Sequence, residues 1–134
     1  VKDLDFGLRQ IVVRDGKGRK DRITLLPETL REPMKEHLAF VKIQHDSDLE
    51  RGQGEVYLPF ALERKYPRAQ RDWCWQYVFP AKENSRDPRS GSYRRHHTGP
   101  KAVQDAFRKA LAVTRIAKPA TPHTLRHSFA THLL

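Results

Sequence analysis

The residues best suited to chemistry stand near the end of the sequence, in Thr121-Pro-His123-Thr-Leu-Arg126-His127-Ser-Phe-Ala-Thr-His132. Thr121 suits a helix N-cap and Pro122 the first helical position, where a missing backbone N–H is harmless, so a helix is expected to begin here. At about 100° per residue, Arg126 lies about 60° from His123, and Ala130 and Leu134 continue that stripe. Leu125, Phe129 and Leu133 occupy the adjoining flank. Arg126 is therefore expected near apolar surface, where a guanidinium without a partner is costly, and the partner would be an anion. Free N–H groups and the positive dipole end of a helix already favour phosphate. A bidentate Arg beside a proton-transferring His completes a phosphate-directed set. The same spacing also describes a solvated or salt-bridged pair, and spacing alone does not decide between them. Zinc on His123 and His127 is disfavoured because Arg126 repels a dication and no acidic residue stands between the two imidazoles. No metal is expected.

The elements that must position this turn are legible in outline. Residues 8–14 and 22–26 are rich in β-branched side chains, and the segment between them, Asp15-Gly-Lys17-Gly-Arg-Lys20-Asp21, contains two glycines. This predicts a β-hairpin with a basic tip. From Pro27 to about Leu49 the spacing becomes helical, with Leu30, Met34, Leu38, Val41 and His45 on one face. Pro33 predicts a kink or a start delayed past it, and Gly52 suits the C-terminal cap.

Residues 55–98 hold both tryptophans, Trp73 and Trp75, and all four tyrosines, among Arg64, Lys65, Arg68, Arg71, Lys82, Arg86, Arg89, Arg94 and Arg95. Aromatics interleaved with cations suit base stacking beside phosphate contacts, although the same aromatics could form the core of a small subdomain. Asn84–Ser92 is polar and is expected to be a mobile loop. Helical spacing returns over 100–115, with Val103, Phe107, Ala110, Leu111 and Thr114 expected to face inward, and Lys118-Pro-Ala120 ends that helix.

The bulk properties agree. The 134 residues suit one domain, and 37% hydrophobic residues are enough for a core. No apolar run approaches eighteen residues and no signal peptide is visible, so a cytoplasmic protein away from the membrane is expected. A single cysteine, Cys74, excludes an internal disulfide. With 26 Lys and Arg against 16 Asp and Glu, the net charge of +10 points to a polyanionic partner.

The run from His123 to Leu134 resembles the second conserved box of the tyrosine recombinases, the DNA-cutting and rejoining integrases. In that family the first His and the Arg of the box are catalytic, which implies catalytic roles for His123 and Arg126. The Gly-Lys-Gly tip resembles the family's hairpin over the scissile phosphate, whose lysine donates a proton to the leaving oxygen. That implies Lys17, with Lys20 the competing candidate and otherwise a DNA contact.

The segments Glu55-Val-Tyr-Leu-Pro-Phe-Ala-Leu-Glu-Arg-Lys-Tyr-Pro67, Trp73-Cys-Trp-Gln-Tyr-Val-Phe-Pro-Ala81 and Arg94-Arg-His-His97 resemble integron integrases. Their extra segment reads bases that bulge from folded single-stranded cassette sites. The resemblance implies DNA contacts from Arg64, Lys65, Trp73, Trp75, Arg94, Arg95, His96 and His97. It further implies an α+β, mainly helical catalytic domain with a small antiparallel sheet, of which residues 1–134 are part, with a family-specific insert at about 55–98. Folded single-stranded and double-stranded DNA would be the partners, self-association is expected of the full-length enzyme, and no cofactor is implied.

The family's nucleophilic tyrosine follows the box, whereas Tyr57, Tyr66, Tyr77 and Tyr93 all precede it, and the family's first catalytic Arg has no counterpart. The 134 residues are thus expected to be inactive alone. A non-catalytic nucleic-acid-binding module is the alternative.

Overall fold

The computed structural model describes residues 1–16 and 18–132, with the side chain of Phe60 outside that description. Two compact units are present, Val1–His97 and Thr98–Leu134. Four α-helices and small antiparallel sheets make the fold α+β.

In the first unit, β2 (Gln10–Val13) pairs with β3 (Arg22–Leu25) in the register Val12↔Ile23 and Val13↔Arg22, the hairpin that the β-branched runs predict. A short strand that the sequence pattern did not reveal, β1 (Leu4–Asp5), adds to the other edge of β2, so the sheet has three strands. The tip closes through the Arg19 N–H to the Gly16 carbonyl at 2.8 Å, and Gly18 takes a φ of +81°. Asp21 accepts from the Asp15 N–H at 2.9 Å and pairs with Arg14 at 3.3 Å.

A 3₁₀ turn over Glu28–Leu30 leads into α1 (Arg31–Glu50). The helix starts before Pro33, contrary to the expectation of a start delayed past it. Pro33 falls in the first turn, where its missing N–H has no intrahelical acceptor to lose. The C-terminus closes as a Schellman motif: Gly52, with φ +73°, donates to the Leu49 carbonyl at 3.0 Å, and Gln53 donates to the Asp48 carbonyl at 2.8 Å. The buried stripe of α1 is Leu38, Val41, His45 and Asp48, so the apolar face ends in an imidazole and a carboxylate.

Facing this stripe, residues 54–81 fold back as a compact irregular layer. Val56, Leu58 and Ala69 form its core, with Leu62, Trp75 and Tyr77 packed against it. The short helix α2 (Phe60–Lys65) starts after Pro59. Two imidazoles of α1 hold the aromatic stretch down. His45 Nε2 lies 3.0 Å from the Arg71 carbonyl, and His37 Nε2 lies 2.7 Å from that of Val78.

Instead of a wholly irregular loop over Asn84–Ser92, β4 (Ser85–Arg86) and β5 (Tyr93–Arg94) pair antiparallel. The turn between them is closed by Asp87, which is 2% exposed. The Asp87 N–H donates to Ser92, its carbonyl accepts from Gly91, and its carboxylate accepts from the Arg89 N–H. Those bonds tie down a polar segment from within, which composition alone does not reveal, and leave Asp87 Oδ2 without a hydrogen bond.

The second unit contains α3 (Pro100–Ala112) and α4 (Pro122–His132). Val103, expected to face inward, is 57% exposed, Phe107 and Leu111 are half-buried, and Ala110 and Thr114 are exposed. Two helices do not make the layers that enclose a core, so the apolar stripe of α3 remains partly open.

Candidate phosphate site and basic surfaces

Thr121 caps α4 as its residue type predicts. Its Oγ1 accepts from the Thr124 N–H at 3.4 Å, while Thr124 Oγ1 accepts from the Thr121 N–H at 3.1 Å. This is a capping box with a hydroxyl in place of the usual carboxamide or carboxylate. His123 and His127, one turn apart, meet with Nε2 to Nε2 at 2.9 Å and ring planes at 87°.

Arg126 stands beside them and is exposed, with no hydrogen bond or ion pair among the described residues. The expected desolvation of Arg126 is therefore not what the structure shows. Its guanidinium keeps all its donors available instead. The unit from 98 to 134 carries six Lys or Arg and a single acidic residue, Asp105. Asp105 is already paired with Arg108 at 3.2 Å. A helix start, a free guanidinium, two imidazoles and an excess of cations form a surface suited to an anion such as phosphate.

In the first unit, Lys17 lies outside the described residues. Lys20 is exposed on the hairpin. On α2, Arg64 and Lys65 are exposed, the latter with its ammonium 5.3 Å from the Tyr66 ring centre.

The aromatic residues divide. Trp73 is half-buried against His45, with ring centres 5.9 Å apart, and helps fasten the layer to α1. Trp75 contributes to the core and is capped by the Lys2 ammonium, 2.9 Å from its ring centre. Its free edge lines an open groove of about 430 Å³ together with Lys65, Tyr66, Arg68 and Asp72. His96 is half-buried, while His97 is exposed with its ring edge on Tyr77 at 5.4 Å.

Arg94 and Arg95 take internal partners in place of the DNA contacts expected of them. Arg94, 7% exposed, donates to the Val56 carbonyl at 3.1 Å and lies 3.8 Å from the Asp87 carboxylate. Arg95 forks onto Asp48 at 2.6 and 3.0 Å and gives a further nitrogen to the Ala81 and Lys82 carbonyls. Burial by itself would raise the Asp48 carboxyl, but the hydrogen bonds and charge of Arg95 outweigh it and hold the group below the usual range.

Sequence reasoning missed Asp48 as the anchor of Arg95 and the segment around it. The signal was present, because Asp48 continues the stripe of Leu38, Val41 and His45, and a carboxylate on a buried face requires a cation. His127, set aside as a metal ligand, is the other missed residue, found here in contact with His123. Among the described residues no group of three or more His, Cys, Asp or Glu is arranged to hold a metal, and no helix is long and apolar enough to cross a membrane.

Comparison with known proteins places these features in one lineage. An integrase/recombinase of Escherichia coli and one of Pseudomonas aeruginosa are each 52% identical over 134 residues, covering all of this chain and 40% of the relative. The tyrosine recombinase XerA of Thermococcus onnurineus is 32% identical over 132 residues, covering 98% of this chain and 33% of its own length. The chain thus spans about 40% of the length of the first two relatives. The phage integrase family matches residues 1–134 throughout, and the chain, with its His-x-x-Arg turn at the head of α4, belongs to that family.

Proposed function

We propose that this chain is part of the catalytic region of a site-specific DNA recombinase of the integron integrase type, with residues 55–98 as its insert. The observation that carries the reading is the free Arg126 guanidinium beside His123 on the first turn of a helix, in a unit with a large excess of cations. Strand cleavage and rejoining pass through a phosphorus centre with spread negative charge, which donors positioned in advance stabilise. In this assignment Arg126 binds non-bridging oxygens, His123 handles a proton at the phosphate, and Lys17 or Lys20 supplies one to the leaving oxygen. The attacking tyrosine of the complete enzyme would form the phosphotyrosyl link, and the protein would act on DNA in the cytoplasm, self-associating when full-length.

The insert supports the cassette-site assignment. The groove beside Trp75, the exposed cations of α2 and the exposed imidazole of His97 offer flat surfaces next to positive charge, as extruded bases require. Arg95 and Arg94 serve this reading indirectly, by holding the segment that carries His96 and His97. The test is competition between a hairpin with bulged bases and a perfectly paired hairpin at moderate salt. Stacking of one base is worth about 1–3 kcal/mol, so the bulged form should bind about fivefold to 150-fold more tightly. His97→Ala should reduce that preference while duplex binding stays nearly unchanged. Equal binding of the two hairpins by the unaltered protein would refute the base-reading assignment.

A second reading, DNA binding without cleavage by these 134 residues alone, is favoured by the tyrosines. All four precede the His-x-x-Arg turn and lie in the first unit. Burial also pushes the Tyr77 hydroxyl up, away from a nucleophilic state. Incubation with a nicked suicide substrate should give no protein–DNA adduct on a denaturing gel, and an adduct would overturn this second reading.

A further inference from the structure

We infer that His127 is a positioning residue for His123, setting which ring nitrogen of His123 carries its proton. The inference rests on the phosphate-directed reading of α4 and names a residue that reading leaves without a role. The two Nε2 atoms lie 2.9 Å apart, a hydrogen-bonding distance, so one donates and the other accepts. The tautomer of an imidazole is set by the bond its other nitrogen makes.

The assignment follows by elimination. Nε2 of His123 is engaged by His127, which leaves Nδ1 as the nitrogen that His123 presents outward. A phosphate oxygen only accepts, so Nδ1 must carry the hydrogen when the ring faces a phosphate. A neutral imidazole has one such hydrogen, and Nε2 of His123 is then bare. His127 must therefore be the donor, protonated on Nε2 and bare on Nδ1. Arg126 is the charged neighbour on the same helix, and among the described residues no hydrogen bond, ion pair or ring contact reaches either imidazole from outside α4. The capping box fixes the turn on which His123 sits, and the rotamer of His127 then decides the ring's tautomer.

Nitrogen-15 NMR of the 134-residue chain, alone and with a DNA hairpin, recorded where the spectra show both imidazoles neutral, reads the tautomer directly. With the hairpin bound, His123 should appear as a single Nδ1–H form in the unaltered protein. His127→Phe keeps a ring of similar size but no donor, and should turn His123 into a mixture of both tautomers. His127→Gln supplies an amide N–H and should restore the Nδ1–H form. Both positions are exposed, and circular dichroism checks that the helix persists. An Nε2–H form of His123 in the unaltered protein, or an Nδ1–H form unmoved by His127→Phe, overturns the inference. A fixed Nδ1–H form whose signals stay still when a DNA hairpin is added would support the positioning role and count against the phosphate-directed reading, so the two fail separately.

Discussion

Replacing Asp48 or Arg95 separates a buried ion pair from a decorative one. The Asp48 side chain is 2% exposed and that of Arg95 14%, and they share two hydrogen bonds at 2.6 and 3.0 Å. Removing one partner of a buried pair typically costs about 3–5 kcal/mol, because the other charge stays desolvated. Asp48→Leu should fall near the lower figure, since the Arg95 head retains the Ala81 and Lys82 carbonyls. Arg95→Met should fall nearer the upper one, because among the described residues the carboxylate keeps only Asn84 at 3.4 Å and Arg51 at 3.9 Å. The double variant Asp48→Leu/Arg95→Met removes both charges and should recover most of the loss, giving a coupling of about 2 kcal/mol or more. The assay is urea unfolding followed by tryptophan fluorescence, which reports the first unit alone because Trp73 and Trp75 both lie in it. With a slope of about 2 kcal/mol per molar urea, each single variant should lower the midpoint by about 1.5 M or more. Losses below about 1 kcal/mol, the range of exposed pairs, or losses that simply add in the double variant, would refute the claim that this pair anchors the segment around Arg95 to α1.

Other outcomes follow from the same structure. Burial pushes the His45 imidazole down, so the folded state takes up its proton less readily than the unfolded chain; stability should therefore fall as pH drops below about 6.5, and His45→Gln should flatten that part of the profile in a pH series of unfolding midpoints. Asp48 shifts in the same sense with a lower window: its contribution is present above the unfolded carboxylate value of about 4 and is lost as pH falls through the depressed folded value. Gly54→Ala should destabilise by about 1–3 kcal/mol in thermal melts, because a Cβ there would lie 2.6 Å from Leu49 Cδ2 and 2.9 Å from the Leu49 nitrogen. Gly52→Ala, with open space but a φ of +73°, should cost only about 1 kcal/mol. The +10 charge predicts DNA affinity falling steeply with salt, with a log–log slope of about −0.9 per phosphate contacted in duplex, so an affinity flat between low and moderate salt would contradict electrostatic binding.

Local chemistry explains what the sequence by itself determined. The hairpin, the long helix ending at Gly52 and the cap of α4 at Thr121 each follow from residues within a few positions of one another, where β-branching, positive φ and hydroxyl capping act. The His123–Arg126 spacing belongs to the same class, because one helical turn sets it. Non-local choices fell to the tertiary structure. Nothing near Arg94 or Arg95 distinguishes them from the exposed Arg64 and Lys65. Their burial was decided by Asp48, 47 positions before Arg95, and by the Val56 carbonyl, 38 positions before Arg94. Trp73 and Trp75 likewise read as equivalent aromatics until His45 and the Lys2 ammonium assigned each its neighbour. A side chain's basicity or flatness is written in its residue type, but whether those groups face water or a partner depends on which distant segment arrives beside them.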